Sequence, residues 1–405
     1  MPTAITPTTV SPPRVLLMTS RIFPTVQEAV MRAGAARGWR MRMGYTVIDA
    51  LPAQENYEGI LLMGRTPEIV AWAAGASCPV VRIFDALENN GRFPVVDTDD
   101  RAIGRMGARH FLELGYANLV FFRNLDVPGS AIRRDHFVEE AVRAGRVPVV
   151  LEVSSYPNTE REVVRSGRDQ RERWLAEKLA HLPKPLAIMP DEELFAPEIV
   201  HAARLSGLRV PEDVAVLAPN NFLSEHLAAS PVSLSFISGN KGPGDVAVGL
   251  LADLMAGQPA PSQPILLAPT GVTVHASTAF FVSDVSGITE TVLFIRAHFR
   301  ERLRVDMLAQ RVGMSLRKLQ SEFKKAVGCT ISEEVFRLRM QLAERMLRET
   351  DMKLSAVATE TGFGGITAFY RAFASHHAMT PGEYRQASGR GMVEPTPKAS
   401  PLGAS

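Results

Sequence analysis

Short apolar runs rich in β-branched residues recur along the first 280 or so positions, and stretches of helical periodicity lie between them. Val15 to Thr19, Gly59 to Met63, Val80 to Phe84, Leu119 to Phe122, Val147 to Val153, Ala187 to Met189 and Val214 to Leu217 are the predicted strands. Several lack a polar alternate position, as strands buried on both faces require. Ala102 to Leu114 sets Ile103, Met106, Ala108, Phe111, Leu112 and Leu114 near one helix face, with Gly115 placed as a C-cap. Ala131 to Ala144 and Trp174 to Leu182 have the same character. Alternating strands and helices imply parallel sheets covered by helices, and a series this long divides into two lobes. Ligands of open parallel sheets bind beyond the carboxyl ends of the strands, so the residues just after each strand are where a pocket is sought.

After about Ser283 the strand signals stop, and from Ile288 to Arg385 the pattern is helical, punctuated by Gly313, Gly328, Gly362 and Gly382. The expected plan is a two-lobed α/β ligand domain over 14–282, a linker over 283–287 and an all-α domain over 288–388. The Pro- and Thr-rich start, 1–13, and the Gly-, Pro-, Ser- and Ala-rich end, 389–405, are expected to be disordered.

A length of 405 residues with 46% apolar and 22% charged side chains supports two or three packed domains and excludes a mostly disordered chain. Uninterrupted apolar runs such as Ile60 to Met63 fall far short of the roughly 18 residues that span a bilayer. The start has neither the basic nor the apolar region of a secretory signal, so a cytoplasmic, membrane-free protein is expected. Cys78 and Cys329 are the two cysteines, which gives no disulfide framework and no metal-ligand spacing. Charge is uneven: residues 287–388 carry 16 Lys and Arg against 11 Asp and Glu, and the rest carries 29 against 32. A basic end on an acidic body suits a module that holds a polyanion, although solvated helical domains also show such a balance.

Within the helical part, Val305 to Arg311, a turn at Gly313 and Ser315 as N-cap of a second helix make a helix-turn-helix plan. Leu319 and Phe323 lie four apart and face a core, leaving Arg317, Gln320, Ser321, Lys324 and Lys325 outside. Arg bonds guanine bidentately, Gln bonds adenine and Lys pairs with phosphate, so this face has the chemistry to read duplex DNA. The plan repeats from Leu354 to Phe373, with Gly362 in the turn, a helix from about Ile366, Phe369 and Phe373 as anchors and Thr367, Tyr370 and Arg371 outside. Ile331 to Glu349 joins the two copies; about 19 residues of helix span about 28 Å, close to the roughly 34 Å between successive major grooves on one DNA face.

Residues 288–385 resemble the DNA-binding domain of the AraC-type transcription regulators. The resemblance rests on Leu308-Ala309, Gly313, Ser315, Leu319, Phe323-Lys324, Gly328, Arg339, Ala343, Leu347, Gly362-Phe363, Phe369, Arg371, Phe373, Thr380-Pro381 and Tyr384-Arg385. Ser321 stands where an Arg is common, Ile331 where Pro is usual and Ala378 where Gly is usual. The resemblance implies base contacts from Arg317, Gln320 and Ser321 in the first copy and from Ile366, Thr367, Tyr370 and Arg371 in the second.

The first part is similar to the ligand-binding domain of the lactose-repressor family and the type I periplasmic sugar-binding proteins. Asp99-Asp100, His110-Phe111-Leu112, Ser130 to Phe137, Asp191, Val210 to Val214 and Ser277-Thr278 carry that likeness. It implies that Arg133, four residues before Phe137, holds effector hydroxyls, and that Asn220 stands where an Asp usually does so. Together with the residues following the other strands, the expected effector set is Ser20, Arg21, Asp85, Arg133, Asp191 and Asn220. These groups suit a small polar effector, a sugar or related metabolite; an ion-pair network stapling the lobes is the alternative. The pairing of the two domains resembles the xylose-operon regulators and implies a regulator, not an enzyme, that acts as a homodimer on an operator without a cofactor. Two further readings remain: a first domain that only dimerises, and a DNA-repair methyl acceptor built around Cys78. Asp99 and Asp100 are expected to cap the helix that follows, and the adjacent His376 and His377, with no third ligand nearby, predict no metal site.

Overall fold

The computed structural model describes residues 11–20, 22–45, 51–53, 56–64, 66–85, 91–125, 130–153, 163–239, 242–285 and 287–389. Most of the two segments expected to be disordered, 1–10 and 390–405, lies outside them. The chain divides into two compact units, Met1–Phe280 and Phe281–Ser405.

In the first unit, β1 (Arg14–Thr19), β2 (Arg40–Tyr45), β3 (Gly59–Met63), β4 (Val80–Ile83), β5 (Val95–Thr98) and β11 (Ile265–Leu267) form one sheet in the order β11-β5-β4-β3-β1-β2. A second sheet repeats the plan with β6 (Asn118–Asn124), β7 (Val149–Val153), β8 (Leu186–Pro190), β9 (Val214–Ala218), β10 (Ser235–Ser238) and β12 (Gly271–Thr273), ordered β12-β10-β9-β8-β6-β7. The pairs are parallel except β10 with β12, which is antiparallel. The central strands are apolar throughout: every residue of β3, β4, β8 and β9 is buried, because helices cover the sheets. Among them are α1 (Pro24–Ala36), α2 (Pro67–Ala74) and α8 (Pro243–Met255) in the first lobe and α5 (Val163–His181), α6 (Phe195–Leu205) and α7 (Ser224–Ala228) in the second.

The sequence pattern reaches seven of these twelve strands and misses β2, β5, β10, β11 and β12. In β2 the charged Arg40 and Arg42 alternate with half-buried Met41 and Met43 at a sheet edge, and the others are only three or four residues long. Short or edge strands bury too little apolar surface to leave a run.

The chain passes between the two sheets three times: between β5 and β6, between β10 and β11, and between β11 and β12. The first passage carries α3 (Asp100–Glu113), which packs along α4 (Ser130–Arg143). The contact is backbone to backbone, since a Cβ on Gly104 would lie 2.2 Å from the Arg133 carbonyl oxygen. Asp99 accepts from the Ala102 amide at 3.0 Å and so caps α3 as expected, whereas Asp100 points elsewhere.

The second unit consists, among the described residues, of α9 (Ile288–His298), α10 (Val305–Arg311), α11 (Leu316–Val327), α12 (Ile331–Glu349), α13 (Leu354–Glu360), α14 (Ile366–His377) and α15 (Pro381–Gly389). Phe281, Ile288, Val292, Ile295, Leu308, Leu319 and Phe323 form one core, with Val285 of the expected linker packed at its margin. Met340, Ala343, Leu347, Val357, Phe369, Phe373 and Tyr384 form the other. α12 supplies Ile331 to the first and Met340, Ala343 and Leu347 to the second, so one helix joins two helix-turn-helix copies. A capping box between Thr330 and Glu333 sets its start, and Thr380 and Glu383 repeat that pairing at the start of α15.

Candidate functional site

Each of the two units holds its own set of candidate functional side chains. In the second unit, Ser315 accepts from the Lys318 amide at 3.3 Å and starts α11, while Gly328, at φ 84°, ends it. Leu319 and Phe323 are fully buried, which turns Arg317, Gln320, Ser321, Lys324 and Lys325 outward, all exposed. α14 follows a turn one residue longer, through Gly362 to Gly365. Gly362 is required there twice over: its φ is 78°, and a Cβ would sit 2.2 Å from the Arg300 carbonyl oxygen. Phe369 and Phe373 are buried, and Ile366, Thr367 and Arg371 are exposed with Tyr370 half-buried beside Phe369. Each copy therefore presents its expected reading residues on the solvent face of its second helix.

In the first unit, Arg133 and Asp191 are brought together. Arg133 is buried in the first turn of α4, donates one guanidinium nitrogen to the Asp191 carbonyl and donates another to Asp100 Oδ1 at 2.5 Å. Asp191, at the carboxyl end of β8 and 1% exposed, accepts from the Asn124 amide at 2.7 Å through Oδ2. Two polar atoms at this junction, Arg133 Nε and Asp191 Oδ1, are buried without a hydrogen-bond partner. Burial, with the charge of Glu192, pushes the Asp191 carboxyl up to about 7 against the opposing pull of the Asn124 amide and Arg133. Burial likewise raises Glu193 to about 7; its carboxylate accepts from the Phe222 amide at 2.9 Å and from the Leu223 amide.

Phe222 in turn bridges the lobes. Its carbonyl accepts from Thr25 Oγ1 at 3.0 Å, and its ring meets Phe84 and Phe23 at 5.5 and 6.3 Å between centroids. Asn220 Oδ1 accepts from the same Phe222 amide at 3.4 Å. Phe84 and Asp85 both adopt positive φ, 70° and 60°, a strained backbone for non-glycine residues at the end of β4. The Asp85 carboxylate turns toward buried Arg82 at 3.7 Å. Ser20 donates its amide to the Met63 carbonyl at 3.1 Å, beside Gly64, where a Cβ would lie 2.7 Å from Ser20 Oγ. Arg21 lies outside the described residues.

Sequence reasoning missed Asp100, Asn124, Glu193 and the three phenylalanines. Asp100 stands beside the true cap, Asp99, and local sequence does not distinguish the two. Asn124, at the end of β6, follows a strand in the same manner as the residues that were chosen and could have been found by that rule.

Cys78 and Cys329 are half-buried, and burial raises both thiol pKa values, the opposite of an activated nucleophile. The expectation that His376 and His377 have no third ligand nearby is corrected: Glu344 of α12 comes to them, its Oε1 2.9 Å from His377 Nε2. The long-range packing of α12 on α14, invisible in local spacing, makes this cluster. Burial, with the neighbouring His377, lowers the His376 pKa.

Comparison with known proteins agrees with the two-unit division. A helix-turn-helix domain family matches residues 308–387, and a periplasmic binding protein-like domain family matches residues 108–278. The xylose operon regulatory protein of Haemophilus influenzae is 28% identical over 351 residues, 82% of this chain and 86% of the relative. That of Escherichia coli K12 is 26% identical over 348 residues, 83% and 86%. A solved structure of the xylose-binding transcription activator XylR covers 93% of this chain and 98% of its own, with a TM-score of 0.54 at 22% identity, a shared fold.

Proposed function

We infer, from a chain that joins an AraC-type helix-turn-helix domain to a periplasmic-binding-protein-like domain and is homologous to xylose operon regulators, a sequence-specific transcription regulator controlled by a small polar effector. It is not an enzyme. α11 and α14 enter neighbouring major grooves: Arg317, Gln320, Ser321, Ile366, Thr367, Tyr370 and Arg371 meet base edges, and Lys324 and Lys325 meet phosphate. The protein acts on operator DNA in the cytoplasm as a homodimer, the arrangement that matches the repeated half-sites such readers use.

The effector is a sugar, with a pentose such as xylose as the first candidate from the names of the relatives. The observation that carries this reading is the buried pair of unpartnered atoms, Arg133 Nε and Asp191 Oδ1. A buried donor and a buried acceptor, on two residues already in contact through the Asp191 carbonyl, suit sugar hydroxyls, which accept from one and donate to the other. Left unpaired, each costs about 1–3 kcal/mol, which an occupying hydroxyl recovers. Ser20, Asp85 and Asn220, which follow the ends of β1, β4 and β9, extend the proposed pocket. The close pairing of Arg133 with Asp100 favours a second reading, a purely structural lobe staple.

A thermal-shift series on the full chain with D-xylose, other pentoses, hexoses and polyols separates the two. Occupancy at a hundred times Kd stabilises the ligand domain by about 2.7 kcal/mol. A melting temperature indifferent to every sugar leaves the staple.

A further inference from the structure

We propose that Glu344, His376 and His377 form a binding site for a divalent transition-metal ion of the zinc class within the second helix-turn-helix copy. One ligand atom from each of the three lies within 4.8 Å of the others. Two imidazoles and a carboxylate are a donor set that zinc accepts, with water as the fourth ligand.

The local geometry is close to what coordination needs. Ligand atoms each about 2.0–2.1 Å from a tetrahedral zinc stand about 3.3 Å apart. His377 Nε2 and Glu344 Oε1 are already 2.9 Å apart, sharing a proton that the metal replaces. His376 is half-buried, its ring centroid 4.7 Å from that of His377, so rotation of one side chain closes the set. The frame around it is packed with aromatic rings. The His377 ring packs 4.5 Å from Phe373 and 4.9 Å from Tyr384, and His376 sits edge-on to Phe336 of α12. Arg348 lies 4.0 Å from Glu344 Oε2 and donates to the Tyr384 hydroxyl at 2.8 Å, which leaves Oε1 facing the imidazoles.

The consequence is mechanical. Glu344 belongs to the joining helix and the two histidines to the last turn of the second reading helix, so a bound ion ties α14 to α12 behind the DNA-facing side chains. Metal binding there stabilises the second copy by mass action and needs no contact with DNA or effector.

The test uses the full-length protein, stripped with EDTA and titrated with zinc chloride by calorimetry in a non-chelating buffer. One saturable site per chain is expected, together with a rise in melting temperature that EDTA reverses. Glu344→Gln and His376→Asn, neither of which empties the buried core, should each weaken binding at least tenfold and abolish the rise while leaving the circular dichroism spectrum unchanged. Zinc binding of unaltered affinity in both variants belongs elsewhere on the chain and overturns the proposal, as does the absence of saturable binding to the unaltered protein.

Discussion

Ala378 ends α14 in the left-handed region, φ 57° and ψ 20°, a position that glycine occupies at the matching end of α11. A Cβ there costs about 1 kcal/mol, so Ala378→Gly should raise the stability of the second helical core by about 0.5–1 kcal/mol. Urea unfolding followed by circular dichroism measures it, and an unchanged or lowered midpoint would show that the turn is not strained. At Asp191 and Glu193 the sign of a pH effect follows from burial. Both pKa values lie near 7, above the ordinary carboxylate range, so the folded chain holds protons that the unfolded chain releases. Their contribution to stability therefore falls as pH rises from about 4 to about 7. An effector hydroxyl donating to Asp191 Oδ1 favours the ionised carboxylate. Sugar binding should thus release protons and tighten as pH rises through about 7, which calorimetry in buffers of different ionisation heat reads directly. Proton uptake on binding would contradict the hydroxyl-donor role. Arg133 and Asp191 were legible in the sequence because they follow a family pattern and a strand end. Asp100 was not, since nothing local distinguishes a carboxylate that caps a helix from its neighbour that reaches across to another.

At the scale of elements, periodicity placed α12 from Ile331 to Glu349 and both second helices, α11 and α14, which each bury a pair of large anchors one turn apart. It failed on edge strands and on anything made by long-range packing, including the Glu344 cluster. Exposure of the reading residues on α11 gives a direct expectation. Arg317→Ala should cost about 1–3 kcal/mol on the preferred site and relax specificity at one position, while Lys324→Ala should weaken all sequences alike and reduce the salt slope by about one. Gel-shift titrations on specific and random DNA at several salt concentrations distinguish them; equal losses on both DNAs from both variants would remove the assignment. α3 supports a second expectation. Asp100 at its start pairs with Arg133, Gly104 lets α4 approach, and His110 near its end lies 3.1 Å from Thr278 Oγ1, shortly before the unit boundary. Gly104→Ala must push α4 and its Arg133 away from α3, and should abolish sugar-dependent stabilisation while leaving operator affinity without sugar unchanged. Retained sugar response with wild-type affinity would show that the close approach does not position Arg133.

Across the whole molecule, the order of strand-rich and helix-rich stretches and the shift of charge toward basic after residue 287 were enough to separate a ligand domain from a DNA-reading domain. The boundary was harder to place, because Phe281 looks in sequence like the end of the first domain yet is buried in the core of the second. Effector control requires that the sugar bind one DNA-competent arrangement better than another, so its influence on DNA affinity is bounded by that difference. On the proposed function, occupancy at Arg133 and Asp191 sets operator binding. The most direct measurement is operator affinity of the full-length protein, on a site selected from random DNA, with and without saturating D-xylose, for the unaltered chain and for Arg133→Ala. The unaltered protein should change affinity at least fivefold on adding sugar, and Arg133→Ala should keep the sugar-free affinity and show no change. A variant that responds as the unaltered protein does would remove Arg133 and its site from effector control.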